Sequence, residues 1–479
     1  MYKKLLLSLC VMIIICIYNV DIIKADEAKK LNITVTMSDG RNSGELVDNS
    51  YYTYMTVRAG NNVKISSDKP IKYVYVKWYN IPKEYEVKYG DSTIKGGENG
   101  FLHELITLPY EVNEVTLNMS VDNPICEIEA YSAGDLPQNV QVWEKPCDNA
   151  DILVISSHAD DEILFLGGVL AIYAGEKDLD VQVVYFSDYS NGVKIREHEK
   201  LDGLWMMGVT HYPDKANFDD LYSETLDQAM KLFDYDKVLS WHVEMIRKYK
   251  PLVVATQDIK GEYGHGTHML IAKATMEAVD ISGDANKYPE SAKLYGVYDV
   301  PKTYLHLWPE NKIKLDTGKA LTRFNGMNCV EIASASYKQH MSQQWCWFYV
   351  SDTNQYSIAD FGLYRSLVGA DTGNDMMENV VSYEEQARLK AIEEAKRLEE
   401  EELKAIQKAK EEEESRIAEE KSKEAYERQL KEKAESDKKF NLIMLGIVIV
   451  CCFALGISIF AYSWNFNSKR RRKRRRKIR

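Results

Sequence analysis

Hydrophobic and polar positions change their rhythm three times along the 479 residues of this chain. From residue 26 to 149 short stretches such as "NITVTMSDG", "YYTYMTVRAG", "YVYVKWYNIP" and "EVTLNMSV" set apolar or β-branched residues at alternate positions and end in Gly, Asn or Pro. That period of two predicts half-buried strands joined by tight turns, an antiparallel β-sandwich. After residue 149 the runs "ILVIS" (152–156), "VQVVYFS" (181–187) and "PLVVATQD" (251–258) are almost continuously apolar, as strands buried on both faces are. Helical stretches such as "REHEKLDGLWMMGV" separate them. Strand alternating with helix predicts an α/β domain with a Rossmann-like, mainly parallel sheet and flanking helices over 150–376.

The rhythm changes again near Ser382. Residues 382–439 are dense in Glu, Lys, Arg and Ala, with opposite charges three and four apart and no Gly or Pro. Their apolar residues, Leu389, Ile392, Leu398, Leu403, Ile406, Ile417 and Leu430, keep no heptad, which predicts a solvated helical stalk or a weak coiled coil. Residues 442–462 carry no charge and are long enough to span a bilayer as one transmembrane helix. Within 469–479 every residue but Ile478 is basic, so 463–479 reads as a cytoplasmic tail and the body before the helix as extracytoplasmic. At the other end Lys3 and Lys4 precede the apolar run Leu5–Ile17, and Ala25 offers a cleavage point, the pattern of a signal peptide over 1–25. The reading is a single-pass protein of the cell membrane.

The formal net charge of −12 includes the basic tail, so the body is more acidic still, which argues against nucleic acid as a substrate. Four of the eight cysteines fall in the two membrane-directed segments. Cys126, Cys147, Cys329 and Cys346 remain, and sequence proximity favours the disulfides Cys126 with Cys147 and Cys329 with Cys346. No C-x-x-C pair occurs among them, so a thiolate zinc site is not expected.

Chemistry concentrates where two predicted strands end. "SSHADDE" after the first strand crowds Asp160, Asp161 and Glu162 beside His158, and "QDIKGEYGHGTH" after the third carries His265 and His268 three apart. Helix capping would account for one or two of the acids and leave His158 without a role. Two imidazoles and one carboxylate are a ligand set used by catalytic zinc, and a neighbouring acid that does not bind the metal can take a proton from its water. Parallel sheets place ligands beyond the carboxyl ends of their strands, where both clusters fall.

The stretches "SHADDE", "REHE" and "GEYGHGTH" resemble the zinc-dependent N-acetylglucosaminyl de-N-acetylases of the PIG-L/LmbE-like family, whose first motif usually reads P/A-H-P-D-D-E. "TYLHLWPEN" (303–311) and "YKQHMSQQW" (337–345) are similar to the secreted bacterial branch of that family. The resemblance implies an LmbE-like fold, with His158, Asp161 and His268 holding Zn2+ and Asp160 acting as general base. It implies that His265, as an imidazolium, stabilises the oxyanion or protonates the leaving amine, that Tyr263 is the active-site tyrosine, and that Arg196 helps hold substrate. Glu162 is expected to support its loop through hydrogen bonds, and His340 either to line the sugar site or, beside Trp345 and Trp347, to be a packed, hydrogen-bonded core residue. Two positions depart from the pattern: Ala159 stands where the family has proline, and Thr267 replaces the usual acid between the last two histidines. The N-terminal part resembles a discoidin-like or carbohydrate-binding jelly roll. The expected activity is hydrolysis of the N-acetyl group of an N-acetylglucosamine-type sugar in a cell-envelope glycan or glycolipid; the rival is a non-catalytic, membrane-anchored glycan-binding scaffold.

Overall fold

The computed structural model describes residues 26–475, so the signal-peptide reading of 1–25 and the last four residues of the basic tail lie outside the described residues. Residues up to Gln386 form one compact unit and Ala387–Arg479 a second.

Seven antiparallel strands come first: β1 (Thr34–Met37), β2 (Met55–Val57), β3 (Asn62–Trp78), β4 (Tyr85–Tyr89), β5 (Ser92–Gly96), β6 (His103–Asn118) and β7 (Asn123–Tyr131). They are hydrogen-bonded in the order β2-β7-β3-β6-β4-β5, with β1 on β3. This differs from two separately bonded sheets. Strands β3 and β6 are long, and a break in their register between Ser66 and Tyr73 gives each half different neighbours. The first half of β3 pairs with β1, and the second, Tyr73–Trp78, with β7. Alternate residues of these strands, among them Val63, Ile65, Val74, Val76, Val115 and Leu117, are buried in one core.

The second sheet runs β10-β9-β8-β11-β12-β14-β13. Its strands are β8 (Ile152–Ser156), β9 (Val181–Ser187), β10 (Asp214–Phe218), β11 (Val253–Thr256), β12 (Lys302–His306), β13 (Lys312–Lys314) and β14 (Asp360–Ser366). The first five in that order pair in parallel, whereas β14 lies antiparallel to β12 and β13 antiparallel to β14. Along β8 the side chains alternate between two cores, Ile152 and Val154 in one, Leu153 and Ile155 in the other, which is why this strand reads as a continuous apolar run. From β8 the chain steps outward to β9 and β10, then returns to place β11 on the other side. The switch point therefore lies between the carboxyl ends of β8 and β11, and a crevice forms there.

Six helices matter below: α1 (Asp161–Leu164), α2 (Ile195–Met206), α3 (Tyr235–Tyr249), α4 (Gly266–Ile281), α5 (Cys329–Tyr337) and α6 (Tyr383–Arg475). Helices α3 and α4 pack on one face of the second sheet through Val238, Val243, Leu270 and Ala274, and α5 packs on the other through Ile332 and Ala333. Helix α6 is uninterrupted, so the charged stretch and the apolar stretch after it are one element, long and apolar enough in its last third to cross a membrane. Ion pairs three and four apart, such as Arg416 with Glu413 and Lys423 with Glu419, line its charged part.

The expected disulfides are absent among the described residues: Cys126, Cys147, Cys329 and Cys346 are free thiols. Proximity in sequence misleads because each packs in its own surroundings. Cys329 is buried in the core on one face of the second sheet, Cys147 in the core on the other, and Cys126 lies on β7 against the Tyr51 carbonyl at 3.8 Å.

Candidate active site

The loop after β8 turns on Asp160, whose φ of 126° and ψ of −32° are rare for any residue with a side chain. Asp160 stands at the start of α1, yet its side chain makes no capping bond. Capping therefore does not explain these acids. The turn instead aims the carboxylate of Asp161 back at the loop, where one oxygen accepts from the His158 amide at 3.0 Å and lies 2.8 Å from His158 Nδ1. Glu162 is wholly buried and accepts from the Asp160 amide at 2.8 Å, which holds the strained turn as its expected supporting role requires.

From the far side of the switch point, α4 brings two histidines. His265 is its N-cap: Nδ1 accepts from the Thr267 amide at 3.2 Å. Gly266 follows because the chain has no room there. A Cβ at that position would lie 2.2 Å from the Thr225 carbonyl oxygen, so the loop carrying Tyr222 packs directly on the helix start. His268, in the first turn, places Nε2 3.0 Å from the same Asp161 oxygen and 3.3 Å from His158 Nδ1. Three donor atoms from two distant loops thus form one small triangle.

That triangle fits a divalent metal. Ligands about 2.0–2.2 Å from zinc in tetrahedral geometry are separated by roughly 3.3 Å, close to the spacing found. The ring of His268 is aimed by its other nitrogen, Nδ1, which lies 2.8 Å from Glu262 Oε2, and Glu262 is held in turn by His306 at 2.6 Å. A buried carboxylate behind a ligating histidine is the arrangement that fixes tautomer and orientation at metal sites. His265 is the third histidine of the group, its ligand atom within 4.8 Å of those of His158 and His268.

Charge is distributed unevenly among these residues. Burial works against the ionised form of Asp161, but His268 and His158 hold it well below the usual carboxylate range. Burial would lower His268, yet Asp161 and Glu262 raise it to about 10, so a proton occupies the triangle when no metal does. Asp160 behaves oppositely: burial pushes it up to about 7, a rise that Arg196 restrains and Asp161 adds to. His265 is pushed down to about 2, first by burial and then by His158 and His268. Both effects work against the imidazolium that the resemblance implies. With Thr267 in place of the acid, Nδ1 meets an N–H donor and the ring proton sits on Nε2.

Arg196, on α2, is buried and its two terminal nitrogens are engaged: they donate to the Ala159 carbonyl, to Asp160 Oδ1 at 3.1 Å and to Asp220 Oδ2 at 3.2 Å, with the guanidinium over the Tyr189 ring. It braces the Asp160 turn. His340 takes the second of its two readings, that of a packed core residue. At 0% exposure it cannot line a sugar site; it sits behind the loop with Nε2 3.4 Å from Glu162 Oε1. Tyr263 takes a positive φ of 48° that places its ring on Phe348, centroids 4.6 Å apart, beside His265 and His268. Sequence reasoning missed Asp220, whose Oδ1 is 3.5 Å from His158 Nε2, and the pair Glu262 and His306, although both stand inside motifs that were legible, "GEYGH" and "TYLHLW".

Residues 153–279 match the family model described as GlcNAc-PI de-N-acetylase. This segment is a PIG-L domain. It contains β11, all but the first residue of β8, and every donor atom of the triangle. Among curated proteins the chain is 29% identical over 177 residues to a 1D-myo-inositol 2-acetamido-2-deoxy-alpha-D-glucopyranoside deacetylase of Rhodococcus jostii, covering 30% of this chain and 60% of that protein. It is 40% identical over 74 residues to the mycothiol S-conjugate amidase of Streptomyces coelicolor, covering 15% of this chain and 25% of that one. The chain therefore spans less than two thirds of these relatives' own lengths. Among solved structures, N,N'-diacetylchitobiose deacetylase from Pyrococcus horikoshii is similar at 18% identity, over 41% of this chain and 72% of that one, with a TM-score of 0.33.

Proposed function

We propose that the PIG-L domain makes this protein a metal-dependent hydrolase that removes acetyl from an N-acetylated, glucosamine-type sugar of the cell envelope. The observation that carries the reading is the convergence of His158 Nδ1, Asp161 Oδ2 and His268 Nε2 within 3.3 Å of one another. These three residues would hold the metal, zinc by the family resemblance, and the metal when bound supplies Lewis-acid chemistry, a more acidic water and a polarised amide carbonyl. Asp160 accepts the proton of the attacking water. Its carboxyl titrates near neutrality because it is buried, and Arg196 keeps it aimed. His265 donates Nε2–H to the oxygen that gains charge as the carbonyl becomes tetrahedral. When the C–N bond breaks, the proton held by Asp160 passes to the leaving nitrogen, which releases acetate and a free amine and restores the carboxylate.

The sandwich-like first sheet is read as a glycan-contacting part, and the apolar third of α6 as the membrane anchor of an exported body. The test is the full-length chain in detergent, assayed for bound metal and for acetate released from N-acetylglucosamine oligomers. His158→Ala and His268→Ala should lose metal and activity together. Asp160→Asn should keep the metal and lose on the order of 10²–10⁴ in rate. A wild-type chain that is folded, metal-free and inactive would favour the scaffold, and full activity of Asp160→Asn would place the base elsewhere.

A further inference from the structure

From the candidate active site a line of aromatic rings runs outward in two directions. Tyr222 meets His265 edge to face at 5.0 Å, His265 meets Tyr263 at 5.6 Å, Tyr263 lies on Phe348 at 4.6 Å, and Phe348 on Trp347 at 4.4 Å. Both ends of the line are in solvent. Tyr222 is 68% and Trp347 67% exposed, and on the Trp347 side Trp345 at 82% and Tyr349 at 62% extend the surface. From 345 to 350 exposure alternates: Trp345, Trp347 and Tyr349 face outward, while Cys346 and Phe348 are half-buried and Val350 is buried. Large aromatic side chains left in water beside a candidate active site mark a binding surface rather than an accident of packing.

We propose that the cleft is open at both ends and acts on an internal residue of a polymeric glycan, with neighbouring sugars seated on Trp347 at one end and on Tyr222 at the other. This rests on the deacetylase reading above and deepens it from an acetylated sugar to a chain of them. A pyranose ring presents an apolar C–H face that stacks on indole or phenol while its hydroxyls stay hydrated. The surface does not suit a lipid bilayer. Residues 339–350 contain no Lys or Arg, and Asp219, Asp220 and Glu224 stand around Tyr222, where an anionic membrane would require basic residues.

The experiment compares the full-length chain in detergent on the disaccharide and the hexasaccharide of N-acetylglucosamine, measuring acetate and locating the first free amines by fragmentation mass spectrometry. Rings stacked at both ends should bind the longer chain better, so kcat/KM should be at least about tenfold higher for the hexamer, with the first amines on internal sugars. Trp347→Ala and Tyr222→Leu should each lower the hexamer-to-dimer ratio of kcat/KM about tenfold. Equal kcat/KM for both lengths, amines only at chain ends, or an unchanged ratio in both variants would overturn the proposal. If neither oligomer yields acetate, the deacetylase reading falls. Quenching of tryptophan fluorescence by the hexamer that disappears in Trp347→Ala would then still support the platforms, and its absence would overturn them. In vesicles of brominated phosphatidylcholine, quenching that falls on Trp347→Ala would assign the surface to lipid instead, again against the proposal.

Discussion

At the scale of single residues the site is held by groups that do no chemistry themselves. Glu262 has no contact with the attacked amide in the proposed mechanism, yet it aims His268 and is itself held down to about 2 by hydrogen bonds from His268 and His306 that outweigh burial. Glu262→Gln should weaken metal affinity about 10–100-fold, read by competition with a chelating dye, with little change in kcat at saturating metal. Asp160 carries a backbone conformation suited to glycine, so Asp160→Gly should be more stable than Asp160→Ala by about 1–3 kcal/mol in denaturant unfolding, although both are inactive. Much of this site was legible in the chain. His158, Asp160, Asp161, His265 and His268 stand in two compact motifs because adjacent loop residues must reach one point. Asp220 was not legible, since it reaches the site from a third loop after β10 and has no motif around it. His340 stayed open between two readings because a histidine near tryptophans looks alike whether it faces a groove or a buried glutamate.

Among elements, helix α2 has two duties. One residue, Arg196, reaches the Asp160 turn, while His198 and Asp202 face the first sheet. There His103 Nε2 lies 2.9 Å from His198 Nδ1, Gln141 bridges His103 and Asp202, and Tyr51 donates to Asp202 at 2.9 Å. Burial, followed by the Lys77 charge, pushes His198 down to about 3, and burial with His198 and Lys77 keeps His103 well below its ordinary value. Both are neutral in the fold and take up protons once unfolded below about pH 6.5. Their contribution is therefore complete above about pH 6.5 and is lost as pH falls, by about 2 kcal/mol for His198 at pH 5. Calorimetry from pH 7.5 to 5 should show this decline in Tm, and His198→Gln should flatten it. The strand rhythm predicted β8, β9 and β11 because each is buried on both faces. It could not predict the register break in β3 or the antiparallel β13 and β14, which depend on pairing partners far away in sequence.

For the whole molecule, a metal that binds only the folded chain adds to its stability by mass action, about 2.7 kcal/mol at a hundredfold excess over Kd. Adding a chelator should lower Tm by several degrees, and zinc should restore it. Deleting 442–479 should move the protein from the membrane pellet to the supernatant on ultracentrifugation, as the apolar third of α6 implies. The buried junction on α2 has a further consequence for anyone recombining this protein. Because the element that steadies Asp160 leans on the amino-terminal sheet, the PIG-L segment is not a cassette. Transplanted alone into another scaffold, it would keep its motifs and arrive with the arginine brace unsupported, an enzyme complete in spelling and slack in its working part.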